Sequence, residues 1–306
     1  MNKLFRFLFD KEYRFLIMAD RGCYKWMSDE EFICRKFKAQ NHIELSLDNP
    51  TNYNEKLQWL KLHDHNPRYI EMVDKVQAKQ FIASKIGEDY IIPTIGVYSN
   101  TDEINFEALP EQFVIKCSHA SGANIICKGK NNLDVKKAKK QLNKWLKKNW
   151  FWYGREWPYL ECPHRIIIEE FMVDKNDETG DSATTDYKFF CFNGVPKVMY
   201  ISKDRSEDPR TDFFDMDYKH LPIKMKDPNA DVLPQKPILF DQMKELAAKL
   251  SKGVPHLRVD FYVFNGKVYV GELTFYHCSG FSVLKPDEWN AKMGDWIDLS
   301  PFLGGV

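Results

Sequence analysis

Residues 257–275 read LRVDFYVFNGKVYVGELTF. β-Branched and aromatic residues fill both halves, and Asn265-Gly266 sits between them, which is the pattern of a β-hairpin. Successive strand residues face opposite ways. Arg258, Asp260 and Tyr262 therefore share one face, and Val270, Glu272 and Thr274 share one on the return strand, while Val259, Phe261, Val263 and Leu273 mark an apolar face. A two-residue Asn-Gly loop would put Asp260 and Glu272 on opposite faces, whereas an odd-length loop with a glycine bulge would bring them together and collect the four apolar residues on the core side. The hydrophobic pattern predicts the odd loop. Two carboxylates and an arginine on a polar sheet face have the chemistry to hold Mg²⁺ against nucleotide phosphates; a solvated face with a salt bridge from Arg258 is the plainer alternative.

Working outward, RIIIEEF from residue 165 and DYKFFCFNGVPKVMYISK from residue 186 read as further strands, the second with its own Asn-Gly hairpin turn. DQMKELAAKLSKG reads as a helix stopped by Gly253. An antiparallel sheet with helices on one side makes this an α+β lobe. Upstream, LDVKKAKKQLNKWLKKNW (133–150) places Val135, Ala138, Leu142 and Trp145 on one helical face and lysines over the rest. That basic face could attract phosphate-bearing substrates or an anionic membrane, or simply be solvated. Asp74 to Lys85 predicts another helix, YIIPTIGVY a short strand, and residues 1 to about 70 a region of helices and turns.

Two segments carry further chemistry. FVIKCSHASGANIIC (113–127) is a strand bearing Lys116 that dissolves into small polar residues, whose backbone N–H groups could converge on phosphate; an ordinary polar turn at a strand end is the alternative. In IIIEEFM (166–172), three isoleucines deliver Glu169 and Glu170 to opposite faces, or simply make a charged strand end. Neither a GxxxxGK[ST] loop nor a GxGxxG turn occurs.

Composition bounds the rest. The 306 residues are 43% hydrophobic and 29% charged, an ordinary globular balance with room for more than one lobe. Lys plus Arg and Asp plus Glu are 44 each, so no net field recruits nucleic acid. Seven cysteines without a CxxC pair suggest reduced thiols in a cytoplasmic protein. In MNKLFRFLFDKEYRFLIMADRG, charged residues break every apolar run short of membrane-spanning length, so neither a signal peptide nor a transmembrane helix is expected. A docked amphipathic helix is predicted there in preference to one that touches a membrane. The lysine helix leaves open a peripheral contact at the inner face of a membrane.

In order and spacing, NEKLQWLKL, DKVQAKQF, FVIKCSHASGANI, GREWPY, IIIEEF, DYKFFCFNG, RVDFY and GELTFY together resemble the TupA-like group, named for teichuronopeptide biosynthesis, of the ATP-grasp superfamily. The resemblance runs from about residue 50 to 300. It implies two α+β lobes enclosing ATP, with a helical N-terminal region at 1–70, a first lobe at 71–165 and a second at 166–306. It makes Lys75 and Lys116 the phosphate lysines and residues 118–124, with Ser118, His119, Ser121, Gly122 and Asn124, the mobile cover. Glu169, Glu170, Phe171 and Met172 would line the adenine pocket, with Asp174 on the ribose and Lys188 and Arg205 elsewhere in the cleft. Asp260 and Glu272 would hold Mg²⁺, and Arg258 would sit beside the transferring phosphoryl group. Thr274 stands where many relatives have a metal-binding asparagine, and Tyr276-His277-Cys278-Ser279-Gly280 replaces a common Pro-Gly turn, so substrate contacts by Thr274, Ser279 and Gly280 are the weakest part of the match. Adjacency in sequence does not align His277 and Cys278 as a nucleophilic dyad.

The implied activity is an ATP-dependent carboxylate–amine ligase working through an acyl phosphate, with a uronic acid of a capsular or other surface glycan as carboxylate and an amino acid or amino alcohol as amine. A phosphotransferase on a hydroxyl acceptor and a non-enzymatic adaptor of polysaccharide assembly are the alternatives.

Overall fold

A computed structural model of the chain describes residues 3–173, 185–203, 209–225 and 227–303; Asp174 and Arg205 lie outside them. Helices α1 (Lys3–Phe9), α2 (Lys11–Ala19), α3 (Asp29–Asn41), α4 (Tyr53–His63), α5 (Arg68–Val73) and α6 (Gln77–Ile86) come first. Then follow β1 (Thr94–Tyr98), β2 (Phe113–Cys117), β3 (Asn124–Cys127), α7 (Val135–Leu146), α8 (Phe151–Gly154) and β4 (Ile166–Glu170). The second half carries β5 (Asp186–Phe192), β6 (Val195–Lys203), β7 (Arg210–Asp215), β8 (His220–Leu221), α9 (Phe240–Ser251), β9 (His256–Phe264), β10 (Lys267–Thr274), α10 (Asp287–Asp295) and α11 (Ser300–Leu303).

The strands build two antiparallel sheets, β1-β4-β2-β3 and β10-β9-β5-β6-β7-β8. Both Asn-Gly pairs make the expected hairpin turns, with positive φ at Asn193, Gly194, Asn265 and Gly266. The expected odd loop between β9 and β10 is not formed. Phe264 pairs with Lys267, so the loop is Asn265-Gly266 alone, and the register instead shifts between Val270 and Glu272. The extra residue is Gly271, a bulge within β10. A Cβ there would stand 2.4 Å from the Tyr262 ring, which explains the glycine. The two-residue loop places Val270 on the core face, opposite Phe261, and the bulge that follows sets Glu272 directly across from Asp260. The two carboxylates share a face, by a different device from the one the pattern suggested.

Three cores hold the elements together. On the large sheet, Phe189, Val259, Phe261 and Leu273 pack with Met243, Leu246 and Leu250 of α9 and with Leu57 and Leu60 of α4. Each such buried side chain contributes roughly 1.5 to 3 kcal/mol. On the small sheet, Phe113, Ile115, Ile166 and Ile168 pack with Leu142 of α7, whose lysines face outward as its spacing predicts. Phe15, Phe32, Ile33 and Phe37 form a third core with Phe281.

These cores redraw the expected boundaries. Helix α4, closed by an Asn52/Glu55 capping box, belongs to the core of the large sheet and not to a separate region at 1–70. Ala78 and Ile82 of α6 join the same core, although they fall within the expected first lobe. Strand β4 lies between β1 and β2, so a division at 165/166 would cut it from the small sheet it belongs to. Long-range strand pairing decides this, and local pattern does not carry it. Helix α1 also differs from expectation, since it buries none of its residues.

Candidate active site

An open cleft is lined by Lys116 and Glu169 of the small sheet, Lys75, Ala78, Lys79 and Ile82 around α6, Ile91 and Ile92 before β1, and Val270 to Leu273 of β10. Alternation in β2 sends Phe113, Ile115 and Cys117 into the core and leaves Lys116 on the other face. Lys116 pairs with Ile167 and Val114 with Glu169 across the β2–β4 ladder, so Lys116 and Glu169 are diagonal neighbours on that face. Glu169 is 5% exposed. Its Oε1 lies 2.5 Å from Lys79 Nζ and its Oε2 2.5 Å from Lys116 Nζ. Burial opposes its ionisation, but the two ammonium groups outweigh burial and hold the carboxyl below its ordinary range. Lys79 is pushed down by burial despite Glu169, and it also donates to the Ile92 carbonyl.

The β9–β10 side carries a second cluster. Asp260, 1% exposed, accepts from Arg258 Nε at 2.6 Å and Nη2 at 2.8 Å, and also from Lys188 of β5. Burial would raise its pKa, but Arg258 and Lys188 carry it down to about 2. Arg258 further donates to Thr274 Oγ1 at 3.0 Å and His277 Nδ1 at 2.5 Å. Burial, then the guanidinium, keeps His277 neutral, which is what an acceptor nitrogen requires. Glu272, across from Asp260, stays one-third exposed, 3.6 Å from Lys75 Nζ and 3.8 Å from Arg258 Nη2.

The structure thus lines one cleft with Lys75, Lys116, Glu169 and Glu272, and sets the buried cluster of Lys188, Arg258, Asp260 and Thr274 beside it through the approach of Arg258 to Glu272. The covering loop divides in two. Ser118 and His119 are buried; Ser118 Oγ donates to the Pro163 carbonyl, and the His119 ring stacks on His164 at 3.9 Å. Ser121, Gly122 and Asn124 are exposed. Lys75 Nζ donates to the Ala120 carbonyl at 2.6 Å, tying the loop's base to the cleft. Glu170 is exposed and its amide donates to the Pro93 carbonyl, while Phe171 and Met172 are half-buried. Ser279 and Gly280 offer backbone carbonyls to Lys61 (2.6 Å) and Asn54 (2.9 Å). Cys278 Sγ does come within 3.5 Å of His277 Nε2, but the other ring nitrogen is taken by Arg258.

Two features escaped the sequence. Lys79 stands four residues after Lys75 in DKVQAK, a helical spacing that would have placed both on one side. Glu156 of GREWPY lies half-buried beside Ser279, its pKa raised by burial against the pull of the buried Lys61; no local pattern signals that cluster.

No group of three or more His, Cys, Asp or Glu among the described residues could hold a metal by itself. Mg²⁺ is commonly held by one or two carboxylates with nucleotide phosphates supplying further oxygens. Glu272 fits that requirement, since among the described residues its cations stand 3.6 and 3.8 Å away, beyond hydrogen-bond distance. Asp260 fits it less well, because both its oxygens accept from cations.

Two antiparallel sheets facing a cleft lined with lysines and carboxylates make this an ATP-grasp fold. Residues 55–298 match the family described as TupA-like ATPgrasp, and the chain belongs to that family. Among solved structures it is similar to the ATP-grasp ligase PsnB complexed with minimal precursor, Mg and ADP, at 11% identity over 72% of this chain and 57% of that one, with a TM-score of 0.37. It is also similar to D-alanine–D-alanine ligase from Bacillus anthracis (14% identity, 83% and 72% of the chains, TM-score 0.43) and from Helicobacter pylori (15%, 80% and 69%, TM-score 0.39). The chain spans little more than half the length of the PsnB ligase. No curated protein matches it.

Proposed function

We propose that the protein is a cytoplasmic ATP-dependent carboxylate–amine ligase. The observation that carries the reading is the cleft in which Lys75, Lys79 and Lys116 face Glu272 and Arg258 beneath an apolar wall of Ile82, Ile91 and Ile92. That wall suits a purine, and three ammonium groups suit a polyphosphate. Lys79 and Lys116 share Glu169, so each can turn from it to a phosphate oxygen without leaving the carboxylate alone.

In this reading the lysines hold the β- and γ-phosphates, and Arg258, oriented by Asp260, Thr274 and His277, neutralises charge as the γ-phosphoryl group passes to a substrate carboxylate oxygen. Mg²⁺ held by Glu272, with Asp260 beside it, would neutralise phosphate charge. ADP leaves. An amine then attacks the acyl phosphate carbon, the C–O bond to phosphate breaks, and an amide, inorganic phosphate and the proton of the amine are the products. In this reading Ser121, Gly122 and Asn124, exposed at the tip of the loop, fold over the nucleotide and exclude water from the intermediate.

The carboxylate is read as a uronic acid of a surface polysaccharide and the amine as an amino acid or amino alcohol; support for this comes from the family resemblance. Phosphate release, measured for uronic acids screened against amines, tests the whole. Release that needs ATP, acid and amine together, and that Glu272→Gln nearly abolishes without altering the fold, is expected. Phosphorylated product without phosphate release would replace this reading with a phosphotransferase, and no turnover of ATP with any pair would reject it.

A further inference from the structure

Helix α1, KLFRFLF, holds five apolar residues in seven and buries none of them. Leu4, Phe5, Leu8 and Phe9 are 66%, 51%, 57% and 70% exposed, and the Phe5 and Phe9 rings lie 4.5 Å apart. At about 100° per residue these four form one broad face, with Lys3 and Arg6 on the remainder. Helix α2 behaves oppositely, burying Phe15 and Ala19 in the third core. It therefore anchors the segment while α1 presents its apolar side outward.

Charge and hydrogen bonding around α1 say what covers it. Residues 3–14 carry Lys3, Arg6, Lys11 and Arg14 against Asp10 and Glu12, and Arg6 Nε pairs with Asp10 at 3.3 Å, so the exposed Lys3 and Lys11 are the cations that face outward. Three of the last four carbonyls of the helix are already occupied: the Asp10 amide donates to Arg6 O at 2.9 Å, and Arg14 Nη1 donates to Phe7 O at 3.3 Å and Leu8 O at 2.9 Å. A helix end with most of its carbonyls paired enters a surface poor in water at a reduced desolvation penalty. A second copy of the chain is a poor occupant. A seven-residue helix is about 10 Å long, and its face falls well short of the ~800 Å² per partner of a stable interface. A lipid surface needs no matching shape, and it takes Phe and Leu at the acyl boundary with Lys and Arg at anionic headgroups.

We propose that α1 is a peripheral membrane anchor that lies in the plane of an anionic lipid surface, with Leu4, Phe5, Leu8 and Phe9 in the acyl boundary and Lys3 and Lys11 among the headgroups. No helix among the described residues is long and apolar enough to cross a membrane, so the contact is one of lying on the surface. The inference is independent of the ligase reading.

Co-sedimentation of the full chain with phosphatidylcholine–phosphatidylserine vesicles, pure phosphatidylcholine vesicles and buffer alone tests it. Binding to the mixed vesicles, weakened by added salt, is expected. Leu8→Ser with Phe9→Ser should lower that partitioning by about tenfold or more, and Lys3→Glu with Lys11→Glu should lower it too, both with unchanged thermal unfolding. The proposal is overturned by absence of binding, by equal binding of either variant, or by equal binding to uncharged vesicles. A concentration-dependent dimer that the Leu8/Phe9 variant abolishes would assign the face to a second copy instead.

Discussion

Glu169 on the small sheet and Asp260 on the large one are each held between two cations, yet the two clusters are built differently. Lys79 and Lys116 keep 17% and 20% of their side chains exposed, one on each oxygen of Glu169. Lys188 and Arg258 keep 9% and 10%, and Arg258 grips Asp260 through two nitrogens while Thr274 and His277 hold the guanidinium from outside. The first cluster consists of point charges on flexible stems bordering open space. The second is a planar fork locked by three partners. One is suited to trading its carboxylate for a ligand's anion, the other to keeping a cation aimed in one direction.

The largest effect should come from breaking the locked cluster. Asp260→Asn leaves Arg258 and Lys188 buried with too little negative charge nearby, and such a loss costs about 3 to 5 kcal/mol. Urea unfolding should show a drop of that size for Asp260→Asn and a clearly smaller one for Glu169→Gln, whose lysines can reach water. Equal losses would erase the distinction between the clusters.

The open cluster should reveal itself through ligand affinity. Lys116→Met keeps the length of the stem and removes the ammonium, so ATP binding measured by calorimetry should weaken tenfold or more, by about 1.5 to 3 kcal/mol. Stability should change little, because Lys79 still faces Glu169. Removing both lysines should destabilise the protein, and adding Glu169→Gln to that double variant should restore stability. An affinity for ATP near wild type in Lys116→Met would remove this lysine from the phosphate site.

Acid separates the clusters from another side. The folded-state pKa of Asp260, about 2, lies below the ordinary value, so its contribution to stability is complete above about pH 4 and disappears as pH falls from there through 2. That contribution is on the order of 2 kcal/mol. Unfolding free energy followed between those pH values should therefore slope less steeply in Asp260→Asn than in the wild type. Parallel slopes would show that the pairing with Arg258 is no tighter than that of a surface carboxylate.

Much of this arrangement was legible because it is local. Both Asn-Gly turns, helix α9 with its stop near Gly253, the outward lysines of α7 and the strand carrying Lys116 follow from turn chemistry and periodicity within a dozen or so residues. The cross-strand placement of Asp260 and Glu272 was legible in outcome but not in cause, since one glycine inside a strand gives little sign that it will bulge. What could not be read depends on distant pairing: β4 inserting between β1 and β2, Lys79 of α6 meeting Glu169, and Ser118 and His119 packing beneath the loop they were expected to cover with. The exposure of α1 was misjudged because an amphipathic pattern shows which face is apolar without showing what that face meets.

The smallest expected effect lies in the loop that joins the open cluster to its ligand. The Ser118 amide donates to the Arg165 carbonyl at 2.8 Å and the Ala120 amide to the Cys117 carbonyl at 3.4 Å, while Ser121 and Gly122 stand in solvent. Hydrogen exchange should therefore find Ser118 protected with or without nucleotide, and Ser121 and Gly122 protected once ATP and Mg²⁺ are present. The change should be confined to the loop's tip, because its base is already held by the His119–His164 stack and by Lys75 on the Ala120 carbonyl. If protection rises evenly from 118 to 124, the whole segment moves as a lid and the anchored base belongs to the closed state alone. If it rises nowhere, the phosphates meet the three lysines without a cover.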